Sequence, residues 1–196
     1  MEVRGRRATV MGLGRHGGGV EAARWLARQG AIVTITDRAD AATLAESIAA
    51  LASEEIVDWH LGGHRERDFA EADLVVVNPA VRPDDALVAR AAARGAQITS
   101  ELELFLERCP GRVIGVTGSN GKSTTAALIA EVLRADGRKT YLGGNIGRSL
   151  LADLPNMTSD CWAVAEISSF QLAWLSADCR LPTIAVVTSF APNHLD

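Results

Sequence analysis

One local grammar occurs twice in this chain, and it constrains the fold more than any other feature. A short β-branched run ends in a glycine turn that opens directly onto a helical pattern. Near the N-terminus it reads ATVMGLGRHGGGVEAARWLAR, and past residue 112 it reads VIGVTGSNGKSTTAALIAEVL. A strand that feeds a helix needs a crossover, and the strand that follows returns parallel. The same alternation runs along the whole chain. Strands are expected at 8–11, 32–36, 56–59, 74–77 and 97–99, and helices at 18–28, 41–51, 84–94 and 101–108. Pro110-Gly111 punctuates the series, which then restarts with strands at 113–116, 140–142, 162–167 and 184–188 and a helix at 123–135. Such alternation predicts the α/β class with parallel sheets, in two domains, 1–110 and 111–196. The second series looks unfinished, as if cut from a longer protein.

Composition limits the function. The 196 residues are 47% apolar, enough to fill a core, and carry a net charge of −4 with both signs interspersed. Without a basic stripe and with aromatics at 5%, no nucleic acid partner is expected. Cys109, Cys161 and Cys179 have no metal-type spacing, which suits a reducing, cytoplasmic setting. No apolar run is long enough for a membrane span and no secretory leader opens the chain, so no membrane partner is expected. Trp162, Phe170 and Trp174 are assigned to the core. His60 and His64 flank Gly62-Gly63 and are read as loop residues, since a zinc pair at that spacing needs a helix.

The first glycine turn, Gly12-Leu13-Gly14-Arg15-His16-Gly17, follows a strand, opens a helix and has Asp37 at the end of the next strand. Glycines allow close backbone approach, and the helix N-terminus favours a diphosphate. This pattern cannot distinguish NAD from another diphosphonucleoside.

The second turn is Thr117-Gly118-Ser119-Asn120-Gly121-Lys122-Ser123-Thr124. The common P-loop has a glycine six residues before its lysine, and here that position is Val116. Strand, turn and helix still set the backbone for phosphate, with Lys122 neutralising charge and the Ser123 hydroxyl reaching Mg2+. Glu166 closes a strand, where a carboxylate can hold the same ion. His194, beyond another strand end, is a further candidate metal ligand.

Three motifs together carry a resemblance: GSNGKST, GGNIG at 143–147 and EISSFQL at 166–172. With the N-terminal GLGxxG turn, the chain resembles the Mur ligases of peptidoglycan synthesis, and within them the D-glutamate-adding branch. The resemblance implies a Rossmann-like N-terminal domain, then a truncated P-loop-type α/β ATPase domain, with a C-terminal domain absent here. It implies ATP and Mg2+ as cofactors and UDP-N-acetylmuramoyl-L-alanine and D-glutamate as partners, in an enzyme expected to be monomeric. ATP would phosphorylate the alanine carboxyl, and the amine of D-glutamate would attack the acyl phosphate to give an amide, ADP and phosphate. The ATP residues would be 117–124, with Lys122, Glu166 and His194 catalytic and Ser123, Glu166 and His194 on metal. Gly14, Arg15, His16, Asp37, Arg38, Asn78, Pro79, Asn145, Ser169 and Gln171 would bind the UDP substrate.

The chain departs from the family at Ala80, where glycine is usual after Asn78-Pro79, and at Asn193, where an acidic residue is common. Two other readings compete. An NAD-dependent dehydrogenase accounts for the first turn and Asp37 but for nothing after Gly115. A non-catalytic nucleotide-binding module accounts for both turns. The segment alone is expected to be inactive as a ligase.

Overall fold

The computed structural model describes residues 2–14 and 17–192. The chain forms two compact units that divide between Glu101 and Leu102. Both are built on wholly parallel sheets with helices between the strands, the mixed α/β class that the alternation predicts.

The first unit runs β1 (Arg7–Met11), α1 (Gly18–Arg28), β2 (Ile32–Asp37), α2 (Ala45–Ala49), β3 (Ile56–Leu61), α3 (Glu66–Ala70), β4 (Leu74–Val77), α4 (Ala86–Ala93) and β5 (Gln97–Ser100). Its sheet has the order β3-β2-β1-β4-β5. The strand order reverses between β1 and β4, which opens a crevice at their C-terminal ends. Val10, Val33, Ile35 and all of β4 are buried, as expected of strands covered on both faces. On α1, Val20, Ala23 and Leu26 form the buried stripe against this sheet.

The second unit runs α5 (Glu101–Arg108), β6 (Arg112–Thr117), α6 (Lys122–Ala135), β7 (Thr140–Gly144), a 3-10 helix over Leu150–Asn156, β8 (Trp162–Glu166), α7 (Ser169–Leu172) and β9 (Ile184–Val187). The sheet order is β7-β8-β6-β9. Ala126 and Ala130, one turn apart on α6, pack with Ile114, Val116 and Val164, and Trp162 lies against this cluster. Small residues there let the helix approach the sheet closely. At the edge, β9 leaves Ile184 and Val187 exposed.

The structure departs from the sequence expectations in several places. The units divide at the first residue of α5 rather than between 110 and 111, because the rest of that helix packs into the second unit. Leu102, Leu104, Phe105 and Leu106 are buried, Ser176 Oγ donates to Glu103 at 2.5 Å and the Arg180 amide donates to Glu107 at 2.7 Å. Helix α2 begins at Ala45, not 41, because Asp40 draws the preceding residues into a turn: Oδ1 accepts the Thr43 amide at 2.8 Å. His60 lies on β3, paired with Asp68 at 2.7 Å, while His64 is in the loop that follows. Phe170 is half exposed rather than core.

Candidate functional site

The second glycine turn joins the C-terminal end of β6 to α6. Gly121 is the N-cap with a left-handed backbone (φ 81°), and no side chain caps the helix. The amides of Gly121, Lys122, Ser123 and Thr124 therefore have no partner within the helix, and its dipole is positive at this end. The Lys122 ammonium curls over the turn and donates to the carbonyls of Gly118 (2.7 Å) and Ser119 (3.3 Å). It thus places a positive charge at the same mouth. Unpaired amides and a cation at one point favour an anion.

Glu166 supplies the opposite charge. It ends β8 in register with Val116 of β6 and Gly144 of β7, and it is 2% exposed. A carboxylate buried this deeply is costly unless both oxygens are satisfied. Here the Ser123 hydroxyl donates to Oε2 at 2.6 Å and Asn145 Nδ2 donates to Oε1 at 2.9 Å. Asn145 is locked further by its own amide, 2.8 Å from the Glu166 carbonyl. Three motifs far apart in sequence thus meet on one carboxylate. A hydroxyl beside a carboxylate oxygen suits a hard, oxygen-liganded cation such as Mg2+, which takes few protein ligands and completes its shell with water and phosphate. Among the described residues no cluster of three His, Cys, Asp or Glu is positioned to hold a metal.

The other predicted residues of this unit take varied positions. Ser119 and Asn120 spend their amides on Ser189, at its carbonyl O (3.0 Å) and Oγ (2.9 Å) respectively. Thr117 accepts from the Thr188 amide at 2.9 Å. Ser169 and Thr124 are exposed. Gln171 is buried, and its Oε1 accepts from the Ser168 amide at 2.9 Å in a capping box that starts α7. His194 and Asn193 lie outside the described residues. Sequence reading missed the segment 188–191, although a polar Thr-Ser pair directly after an apolar strand marks the ligand side of such a sheet.

In the first unit the glycine turn is held by its neighbours. Asp37 accepts the Leu13 amide on Oδ2 and the Ala39 amide on Oδ1, both at 2.9 Å. Asn78 faces Gly14, and its Oδ1 accepts the Ala80 amide at 3.0 Å in the turn through Pro79. Arg38 is exposed, 3.8 Å from Asp85. His64 Nδ1 lies 2.8 Å from the Thr36 hydroxyl. Its pKa is lowered, first by burial and then by the Arg38 charge. Arg15 and His16 lie outside the described residues. Close helix–strand packing falls to Gly19, not Gly17: a Cβ on Gly19 would collide with the Gly12 carbonyl and lie 2.6 Å from Leu13 Cα.

Two parallel α/β units, each with a glycine turn at the C-terminal end of a central strand, define the class of molecule. The family follows from sequence. Residues 6–100 match the Mur ligase MurD-like N-terminal domain, and residues 116–196 match the Mur ligase middle domain. The chain belongs to the Mur ligase family. Over its whole length it is 45% identical to a UDP-N-acetylmuramoylalanine--D-glutamate ligase of Roseiflexus sp. and 44% identical to that of Trichlorobacter lovleyi. It spans 42% and 43% of those two relatives. Among solved structures, a UDP-N-acetylmuramate:L-alanyl-gamma-D-glutamyl-meso-diaminopimelate ligase from Neisseria meningitides shares the fold. The TM-score is 0.58 at 22% identity, over 98% of this chain and 63% of that one. The UDP-N-acetylmuramate-alanine ligase of Thermotoga maritima does so at a TM-score of 0.57 and 22% identity, over 97% of this chain and 43% of that one. Among the described residues, no helix is long and apolar enough to cross a membrane.

Proposed function

We propose that this chain is the substrate- and nucleotide-binding part of an ATP-dependent ligase of peptidoglycan precursor synthesis. The reaction is the addition of D-glutamate to UDP-N-acetylmuramoyl-L-alanine, with ADP and phosphate released. The observation that carries the reading is Glu166, held by Ser123 of the second glycine turn and by Asn145. An oxygen pair for a cation, an ammonium and a set of unpaired helix amides converge there.

On this reading the first unit is a Rossmann-like domain and the second a P-loop-type ATPase domain. The amides from Gly121 to Thr124 and Lys122 bind the ATP phosphates. Ser123 and Glu166 would hold Mg2+, which when bound would supply positive charge to screen the phosphates. A carboxylate is a poor electrophile, and phosphorylation gives it a leaving group for attack by the amine. The chain's own task is to bring two anions together, and Lys122 and the α6 N-terminus lower that electrostatic cost. The first turn, with Asp37 setting its shape, binds the UDP end. Arg38 and Asn78 flank that ligand, with Arg15 and His16 in the same set, while His194 belongs to the second unit as a further metal ligand. A dehydrogenase is less supported, because it leaves the Ser123–Glu166–Asn145 arrangement without a role.

The test compares two proteins: this chain alone, and this chain joined to the remaining C-terminal part of the Roseiflexus relative. The joined protein is expected to form the amide, with phosphate release that depends on both UDP-N-acetylmuramoyl-L-alanine and D-glutamate. The 196-residue chain alone should release none, since no closed, water-poor site forms around it. Phosphate release without D-glutamate, or no reaction from the joined protein when it is folded, contradicts the reading.

A further inference from the structure

The second glycine turn is braced from outside by the residues that follow β9. The Thr188 amide donates to the Thr117 carbonyl at 2.9 Å, extending the β6–β9 ladder into the turn. The Thr188 hydroxyl donates to the Asn120 carbonyl at 2.6 Å, and Ser189 Oγ lies 3.1 Å from the same oxygen. Ser189 also accepts two amides, that of Ser119 on its carbonyl (3.0 Å) and that of Asn120 on its hydroxyl (2.9 Å). Beyond them, Ser119 Oγ donates to the Ala191 carbonyl at 2.8 Å and accepts the Ala191 amide at 2.9 Å. Gly118 makes this approach possible. A Cβ there would collide with Thr188 Oγ1 and lie 2.9 Å from the Ser189 amide nitrogen.

We propose that Thr188 and Ser189 are positioning residues for nucleotide: their hydroxyls fix the 120–121 peptide so that the Gly121 N–H faces the bound phosphate. The proposal rests on the reading that this turn holds ATP. In a trans peptide the carbonyl and the next N–H point in opposite directions. Holding the Asn120 carbonyl against the brace therefore aims the Gly121 N–H away from it. Without the two hydroxyls that peptide is free to rotate, and a carbonyl could face the anion instead. The brace also takes up the Ser119 and Asn120 amides, which confines the anion to the helix end of the turn. Gly118 is then needed by the brace more than by the phosphate.

The experiment titrates Mg·ADP into the 196-residue chain by calorimetry and follows the Gly121 amide resonance. Thr188→Val keeps shape and removes the hydroxyl, and Ser189→Ala does the same at its neighbour. Each is expected to weaken Mg·ADP by about tenfold, the worth of one well-formed hydrogen bond, with little change in Tm. In the double variant the Gly121 resonance should respond much less to nucleotide. Thr188→Ser should restore wild-type affinity, because it returns the hydroxyl without the methyl. Wild-type affinity in the folded double variant overturns the proposal. So does a Thr188→Ser chain as weak as Thr188→Val, which would make the effect one of packing. If the wild-type chain binds no Mg·ADP, the ATP reading itself fails and the proposal falls with it.

Discussion

The two glycine turns share a place in their sheets but not their equipment. Around the first, the charged group that touches the backbone is a carboxylate: Asp37 takes the Leu13 and Ala39 amides. Around the second, an ammonium sits on the turn, a hydroxyl meets a buried carboxylate, and a brace holds the outer edge. The first arrangement shapes a backbone for binding. The second can also manage charge that moves during a reaction. A shared glycine grammar thus marks the same place in both sheets, while the surrounding side chains set the two turns apart.

The largest effect that would break this comparison is expected from Lys122→Ala. It removes the ammonium and leaves the turn glycines. Mg·ATP affinity of the chain should fall by about a hundredfold or more, the scale of losing a charged contact to phosphate. Tm should hardly move, and UDP-substrate affinity should stay at the wild-type value. Calorimetry with each ligand in turn checks this.

Gly118→Ala should come next. The new methyl meets Thr188 and Ser189, so the brace must shift, at a stability cost of about 1–3 kcal/mol. Denaturant unfolding should show that loss together with weaker Mg·ATP binding, whereas Lys122→Ala weakens binding alone. Asp37→Ala is the matching change in the first unit. It leaves two amides without their acceptor, at about 1–3 kcal/mol, and should weaken the UDP ligand while sparing Mg·ATP.

The smallest effect concerns pH. His64 has its pKa lowered below the ordinary histidine value by burial and by Arg38. The unfolded chain then binds the proton more readily than the native one, so this residue makes stability fall as pH drops below about 6.5. His64→Gln should flatten the fall in Tm between pH 7 and pH 5. An unchanged slope would remove His64 from the account.

Much of this fold was legible because its signals are local. β4 reads as an unbroken apolar run, and α1 and α6 carry helical stripes between glycine punctuation. Helix α3, the 3-10 helix and α7 were not expected, because segments of four to seven residues are too short to show periodicity. The site divides the same way. Lys122, Ser123 and Glu166 are marked by motif and strand end. The brace at 188–191 and the contact of Gly19 with Gly12 are tertiary facts, set by β9 pairing with β6 and α1 lying on β1. Gln171 shows the reverse: a motif residue whose carbonyl oxygen is spent on starting its own short helix.

The central claim is that the two turns serve two different ligands. The direct measurement titrates the wild-type chain with UDP-N-acetylmuramoyl-L-alanine, Mg·ATP and NADH, each alone and then after saturation with another. The account predicts one site each for the UDP substrate and Mg·ATP, neither displacing the other, and no binding of NADH. Competition between the UDP substrate and Mg·ATP for a single site, or NADH binding where the UDP substrate does not, would contradict it.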